Sequence, residues 1–105
     1  MANWEIVDKL TILQIKLEQG LDCEEQYFEY LKETEKIDKK LIIELYDINK
    51  EMWIYEELIT YAIKERNYAK IGRLYYDLRH LTYRRTESKN KIAEKYDKFK
   101  ELKQY

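Results

Sequence analysis

Apolar side chains recur at alternating intervals of four and three residues through the middle of the chain. The members of this run are Leu41, Leu45, Ile48, Met52, Tyr55, Ile59 and Ala62. A helix turns once in about 3.6 residues, so this spacing places every member on one face, as in the seam of a coiled coil. No proline interrupts the run, because the whole chain contains none. The pattern therefore predicts a long helix with one buried face.

A second run of the same kind follows, on a helix that we predict from Tyr68 to about Lys103. Its apolar members are Ile71, Leu74, Leu78, Leu81, Ile92, Phe99 and Leu102. A short turn near Asn67, which is predicted to be a left-handed cap, makes the two long helices antiparallel. Residues whose numbers sum to about 135 should then face each other. A helix of this length spans roughly 50 Å, so the hairpin should project or pair with another copy.

The N-terminal helix is predicted from Asn3 to Gln19, with Asn3 as its N-cap. Its apolar face contains Ile6, Leu10, Leu13 and Leu17. Gly20 follows at a position where a left-handed residue commonly ends a helix. We expect this helix to pack on one widened side of the hairpin. The residues that widen that side are Ile42, Ile63, Tyr75 and Tyr96.

The long middle helix is predicted to begin at Asp22, because Glu25 lies three residues later, as in a capping box. Thr34 and Asp38 interrupt its apolar face, so a kink or break before Lys40 is an alternative to one continuous helix. In either case the prediction is an all-α fold. A short N-terminal helix packs on a long antiparallel helical hairpin, in a three-helix, coiled-coil-like arrangement.

Composition excludes several classes of protein. The chain has the length of one domain, 1–105, and its 20 basic and 21 acidic residues give a net charge of −1. This balance provides no attraction to nucleic acid or to an anionic membrane, so neither is an expected partner. Cys23 is the only cysteine, so no internal disulfide can form and the cytoplasm is the expected location. No apolar run approaches the roughly 20 residues that span a bilayer, and no signal peptide is recognisable.

Several polar residues lie on or beside the apolar side of the hairpin, where burial is expected. They are Asn49, Glu56, Thr82, Arg85 and Lys89, with Trp53 beside them and Asp8, Lys9 and Lys16 within reach on the N-terminal helix. Buried unpaired charges are costly, so these groups must pair, reach water or bind a ligand.

Three interpretations of this polar strip remain open. A structural network that fixes register or oligomeric state is the first. A site for a small anionic ligand, built on Arg85 and Lys89, is the second, and a strip that is simply solvated is the third. The candidate ligand-binding residues are Asp8, Lys9, Asn49, Trp53, Glu56, Arg85 and Lys89.

The opening segment resembles that of a family of small helical bacterial proteins of undefined function. The segment reads I-V-D-K-L-T-I-L-Q-I-K-L-E, and the family pattern is V-D-K-[IL]-T-I-L-x-I-K. The pattern continues with N-x-x-[LM]-W-x-x-E, an Arg, K-x-x-I and a closing E-x-K-x-Y, so the resemblance covers nearly the whole chain. Matching residues are Asn49, Met52, Trp53, Glu56, Arg85 (or Arg84), Lys89, Ile92, Glu101, Lys103 and Tyr105. Thr82 and Tyr83 stand where the family tends to have Asn-Asp, so the chain departs from the family pattern at that pair.

Two functional hypotheses follow. The first is a non-enzymatic helical interaction or scaffold protein that forms a homodimer or a higher homo-oligomer. It depends on the long seams and on the lack of a catalytic, metal-binding or nucleotide-binding motif. The alternative is a small anionic-ligand-binding protein, or a minor all-helical enzyme, that uses the polar strip. Neither hypothesis requires a cofactor or a metal.

Overall fold

The computed structural model describes residues 1–98, which form four α-helices and one π-helical turn. The elements are α1 (Asn3–Glu18), α2 (Glu24–Glu33), α3 (Lys39–Lys64), α4 (Tyr68–Ile92) and the π-helical turn Ala93–Asp97. None of these described residues is in a β-strand. The predicted all-α fold, with a short N-terminal helix packed on an antiparallel hairpin, is confirmed.

Helices α3 and α4 form the hairpin, and their apolar seams face each other. The buried apolar residues of the two seams are Leu45, Ile48, Ile59, Ala62, Leu74, Leu78, Leu81 and Ile92. Ion pairs join Glu51 to Arg84 at 3.7 Å and Glu44 to Lys91 at 2.9 Å. The residue numbers of each pair sum to 135, so the predicted register of the hairpin is confirmed.

The turn of the hairpin differs from its prediction by one residue. Arg66, with a φ of 57°, is the left-handed residue after α3. Asn67 instead caps the N-terminus of α4, where its side-chain oxygen accepts a hydrogen bond from the backbone N–H of Lys70 at 3.2 Å. The predicted left-handed cap at Asn67 is therefore wrong. An amide oxygen at this position satisfies a backbone donor that the first turn of α4 leaves unpaired.

A residue from the far end of the described chain caps the N-terminus of α1. The Asp97 carboxylate accepts hydrogen bonds from the backbone N–H groups of Asn3 at 2.8 Å and Trp4 at 3.1 Å. Ala2 occupies the N-cap position, so the prediction of Asn3 as N-cap is wrong. At the other end of the helix Gly20 has a φ of 83°, which confirms its predicted left-handed conformation.

Helix α2 begins at Glu24 rather than at the predicted Asp22. Cys23 is its N-cap, without a side-chain capping hydrogen bond, and the Cys23 thiol lies 3.5 Å from the carbonyl oxygen of Leu13 on α1. The predicted capping box of Asp22 and Glu25 is therefore wrong. Within the described residues α2 packs on α1 and makes no close backbone approach to α3 or α4.

The predicted alternative of a break in the middle helix is confirmed, since α2 ends before α3 begins. The Thr34 hydroxyl donates to the carbonyl of Leu31 at 2.9 Å, and Asp38 accepts from the backbone N–H of Lys40 at 2.9 Å. Ile37, between these two local hydrogen bonds, is buried in the core. Side chains that bond to nearby backbone end one helix and start the next, and burial of Ile37 holds the break in place.

Helix α1 covers only the open end of the hairpin. A buried cluster there contains Val7, Ile37, Leu45 and Ile92, with Trp4, Leu41, Ile42 and Tyr96 packed against it. A second buried cluster, nearer the turn, contains Ile59, Ala62, Leu74 and Leu78 and has no member from α1. The two ends of α1 contact Asp97 and Tyr46, both at the open end, so α1 crosses the hairpin instead of following it toward the turn. The half of the hairpin near the turn therefore stays uncovered.

This short reach corrects one prediction about the apolar face. Ile42 and Tyr96 pack against the open-end core, as expected for residues that widen the face beneath α1. Ile63 and Tyr75 were predicted to belong to the same covered face, but both are exposed. They lie on the half of the hairpin that α1 does not reach.

Helix α4 ends earlier than predicted. Its α-helical part stops at Ile92, the π-helical turn continues to Asp97, and Lys98 is left-handed with a φ of 60°. A single helix that continues to Lys103 is therefore wrong, because a left-handed residue interrupts a right-handed helix. The predicted seam positions Phe99 and Leu102 lie outside the described residues.

Candidate functional site

A group of polar side chains meets where α1 crosses the hairpin, between the two apolar clusters. We call Asp8, Thr11, Asn49, Arg85 and Lys89 the polar cluster. Thr11, Asn49 and Lys89 are buried, whereas Asp8 and Arg85 are half-buried. Three helices contribute, so the cluster forms only when α1 is in place on α3 and α4.

Asp8 is the centre of the polar cluster. Its carboxylate accepts a hydrogen bond from the Arg85 guanidinium at 2.8 Å and from the Asn49 amide at 3.0 Å. The Lys89 ammonium lies 3.3 Å from the same carboxylate. One carboxylate thus connects the N-terminal helix to both helices of the hairpin.

Thr11 completes the connection between α1 and α3. The Asn49 amide donates to the Thr11 hydroxyl at 2.9 Å, and that hydroxyl donates to the backbone carbonyl of Asp8 at 2.8 Å. Asp8 and Thr11 are three residues apart and therefore point to the same face of α1. Arg85 and Lys89 are four residues apart on α4, which brings both cations to one carboxylate.

The electrostatics of the polar cluster are unbalanced. Asp8 carries one negative charge, while Arg85 and Lys89 carry two positive charges. Burial lowers the pKa of Lys89 below its usual value; the Asp8 carboxylate opposes this effect, and the Arg85 guanidinium adds to it. The Lys89 ammonium also lies 5.2 Å from the centre of the Trp4 ring, whose face attracts a cation.

Two buried donors around the polar cluster make no hydrogen bond to the described residues. They are the indole Nε1 of Trp4 and the Nε of Arg85. The buried hydroxyl of Ser88, between Arg85 and Ile92 on α4, also makes no hydrogen bond to the described residues. Together with the excess positive charge, these two N–H donors give this region the chemistry of a binding site for a small anion.

The structure separates the predicted ligand-binding residues into two groups. Asp8, Asn49, Arg85 and Lys89 come together in the polar cluster, whereas Lys9, Trp53 and Glu56 do not. Lys9 and Glu56 are exposed. The indole of Trp53 donates to Glu57 on its own helix at 3.1 Å.

Helix geometry explains why these three residues lie outside. Lys9 follows Asp8 directly, so it points about 100° away around α1. Trp53 and Glu56 lie about one and two turns beyond Asn49 on α3, toward the turn of the hairpin. Among the described residues, Lys9, Trp53 and Glu56 form no hydrogen bond or ion pair with the polar cluster.

Thr11, a member of the polar cluster, and Trp4, beside it, were not among the candidate ligand-binding residues. Thr11 could have been identified from the sequence, because it lies three residues after Asp8 and therefore on the same face of α1. Trp4 gives no sequence signal for its role, because its position over Lys89 depends on how α1 crosses α4.

A second polar contact fixes the other end of α1 to α3. The Tyr46 hydroxyl donates to the Glu18 carboxylate at 2.6 Å, and the Lys50 ammonium lies 3.2 Å from the same group. The hydrogen bond to Glu18 is the main cause that raises the pKa of Tyr46 to about 12. The same bond lowers the pKa of Glu18. This contact is at the surface and has the character of a structural clamp.

The described residues hold no group of three or more His, Cys, Asp or Glu side chains arranged to bind a metal ion. Within residues 1–98 no helix combines the length and apolar character needed to cross a bilayer. No family model, curated protein or solved structure matches the chain.

Proposed function

We propose that this chain is a non-enzymatic helical interaction protein that assembles with a second copy of itself through the outer face of α3. The observation that carries the proposal is a stripe of large apolar side chains on the uncovered half of the hairpin. We call Ile54, Leu58 and Tyr61 the outer stripe; their exposed fractions are 45%, 39% and 62%.

The outer stripe has the spacing of a helix-packing surface. Its members are separated by four and then three residues, which aligns them along the helix. Ile54 and Tyr61 point away from the seam residue Ile59, which is buried against α4, and Leu58 lies about 100° from Ile59 at the edge of the exposed side. Exposed apolar side chains that form a continuous patch favour a protein partner, whereas single ones carry no such implication.

The charges beside the outer stripe favour a second copy as the partner. Glu57 and Lys64 lie on the same edge of the stripe, seven residues apart and opposite in sign. When two copies of α3 pack antiparallel with Leu58 opposite Tyr61, Glu57 of each copy comes beside Lys64 of the other. A two-fold axis then pairs unlike charges twice, as a self-complementary interface requires.

The polar cluster supports this proposal through its internal pairing. Asp8 is engaged by Arg85, Asn49 and Lys89, so most of its hydrogen-bonding capacity is used within the chain. Buried polar groups of this kind are best known for fixing the register of packed helices. The motif of the resembled family includes these same four residues, and we propose that it encodes the packing of α1 on the hairpin. A cytoplasmic location also remains our proposal.

Sedimentation velocity at micromolar concentrations tests the self-assembly. Wild type should sediment as a dimer or larger species, and Leu58→Lys should shift the population toward monomer. Ile63→Lys is the matched control, because Ile63 is an exposed isoleucine on the same helix outside the outer stripe. A compact wild-type monomer across the whole concentration range would contradict the proposal.

Charge reversal tests the antiparallel geometry separately. Glu57→Lys should weaken the dimer by about tenfold in dissociation constant by placing like charges beside each other. The double variant Glu57→Lys with Lys64→Glu should recover the wild-type constant. A double variant as weak as the single one would exclude this pairing of the two residues.

One observation favours a second candidate function, the binding of a small anion at the polar cluster. Arg85 Nε and Trp4 Nε1 are buried donors without a partner among the described residues, and the polar cluster carries one positive charge in excess. Inorganic phosphate or a small dicarboxylate should then raise the melting temperature of wild type. The rise should be lost in Arg85→Ala and kept in Arg79→Ala, whose side chain is exposed on the same helix. Equal shifts in both variants would contradict this function.

A further inference from the structure

A groove of about 600 Å³ opens between α2 and α3, and α1 forms its floor. Most of its lining is apolar, from Leu10, Tyr27, Phe28, Leu31, Ile42 and Ile43. Phe28, Leu31 and Ile43 are nevertheless exposed to solvent. The groove therefore presents large apolar side chains to water along a concave surface, which is the usual character of a small-molecule site.

The packing of α2 explains why the groove is open. Helix α2 contacts α1 and makes no close backbone approach to α3 among the described residues. Its apolar side chains Phe28 and Leu31 therefore face α3 across the groove instead of packing on it. None of the residues of α2 is fully buried. An apolar occupant would remove these side chains from water and stabilise the position of α2.

The rim of the groove carries a small set of charges. Lys32 and Lys39 contribute two positive charges, and Glu35 contributes one negative charge. Neither lysine takes part in an ion pair with the described residues. Lysine stems lie along apolar surface while the ammonium stays in water, so a rim position suits both side chains. The rim thus favours an occupant with one negative charge at the end of an apolar body.

We propose that this groove binds a single-chain amphiphile with one carboxylate head, of the fatty-acid class. The hydrocarbon chain lies among Phe28, Leu31 and Ile43, and the carboxylate remains at the rim beside Lys32 and Lys39. Cavities of about 300–1,000 Å³ are typical for ligands of this size. The inference is independent of self-assembly through the outer stripe, because Ile42 and Ile43 lie about three helical turns from Ile54, the nearest member of that stripe.

A single-chain amphiphile matches both parts of the groove. Its flexible hydrocarbon chain follows the space between α2 and α3 without displacing either helix. Its one negative charge matches the rim, where Lys32 and Lys39 outnumber Glu35 by one charge.

Binding of dodecanoate, below its micelle concentration and at about pH 8 where the carboxylate is ionised, tests the proposal. A dansyl-labelled undecanoic acid supplies the fluorescence signal, and unlabelled dodecanoate should displace it with saturation at one molecule per chain. Phe28→Glu should weaken binding by at least about tenfold, because it places a like charge in the groove. Ile63→Glu is the matched control and should bind as wild type, since the exposed fractions of Phe28 and Ile63 are 55% and 53%.

The head-group contacts are tested with a pair of lysine variants. Lys32→Gln with Lys39→Gln should weaken dodecanoate about threefold to tenfold and leave dodecanol unchanged. Lys36→Gln with Lys40→Gln removes the same charge outside the groove and should have no effect. Leu58→Lys should also leave binding unchanged, so the two proposals can fail separately.

Three outcomes would overturn the proposal. The first is no saturable displacement by dodecanoate, and the second is equal binding by wild type and Phe28→Glu. The third is a change of oligomeric state in Phe28→Glu without dodecanoate binding in wild type, which would identify the groove as a contact between chains. Circular dichroism of each variant, which should match wild type, confirms that these surface changes leave the helices intact.

Discussion

The Arg85 guanidinium donates to the Asp8 carboxylate at 2.8 Å, across a separation of 77 residues along the chain. This ion pair fixes α1 against α4, and both of its side chains are half-buried. Lys89 shares the same carboxylate, so one acidic side chain faces two cations, the half-buried Arg85 and the buried Lys89. The stability of the α1 packing should therefore depend strongly on Asp8.

Asp8→Ala should lower the free energy of unfolding by about 3 kcal/mol, because it leaves two partly buried cations without their carboxylate. Urea denaturation followed by circular dichroism measures the change. Asp47→Ala is the matched control, since Asp47 is exposed on α3, and it should alter stability by less than about 0.5 kcal/mol. Equal losses in both variants would mean that the polar cluster contributes nothing specific.

Glu56→Ala should leave the free energy of unfolding within about 0.5 kcal/mol of wild type. The sequence placed Glu56 in the same strip as Arg85, but its side chain is exposed and away from the polar cluster. The same denaturation experiment provides the measurement. A loss near that of Asp8→Ala would show that Glu56 pairs with a buried cation after all.

Asp97→Ala should cost about 1–2 kcal/mol, because it removes the acceptor for two backbone donors in the first turn of α1. Hydrogen exchange should report the loss locally, as faster exchange of the Asn3 and Trp4 amides. Glu87→Ala removes an exposed carboxylate from α4 and serves as the control. Unchanged exchange at Asn3 and Trp4 would contradict the capping role of Asp97.

Alkaline pH should weaken the contact between Tyr46 and Glu18. The hydrogen bond raises the folded-state pKa of Tyr46 to about 12 from an ordinary value of 10.0. A raised folded pKa means that the native state holds the proton more tightly than the unfolded state does. Its contribution to stability is fully present below pH 10 and is lost as the pH rises through about 12.

Tyr46→Phe removes this pH-dependent contribution. The stability difference between wild type and Tyr46→Phe, measured by urea denaturation, should shrink between about pH 9 and about pH 11.5. Tyr76→Phe changes an exposed tyrosine on α4 and should show no such trend. A constant difference for Tyr46→Phe across this range would rule out an altered tyrosine pKa.

Acidic pH should act on the same contact from the side of Glu18. Because its folded pKa is lowered below 4.5, Glu18 contributes stability that is present above that value and lost as the pH falls through the folded pKa. Glu18→Gln should therefore approach wild-type stability only under acidic conditions. Urea denaturation at neutral and acidic pH makes the comparison, and a pH-independent difference would contradict it.

Local patterns in the sequence were sufficient for much of the fold. Apolar residues at alternating intervals of three and four positions determined both seams. The short turn determined their antiparallel register, which the Glu44–Lys91 ion pair confirms. Gly20 was predicted correctly because a left-handed helix end is a property of a few neighbouring residues. The break before α3 was foreseen as an alternative only, since Thr34 and Asp38 weaken a helix without deciding where it stops.

Only the tertiary structure decided which polar residues meet. Spacing along one helix showed that Arg85 and Lys89 share a face, but it could not distinguish Asn49 from Glu56 as their neighbour on α3. That choice depends on where α1 crosses the hairpin and how far it reaches, and both are set by packing among residues distant in sequence. The capping of α1 by Asp97 arises in the same way, because a contact over 94 residues leaves no local pattern to detect.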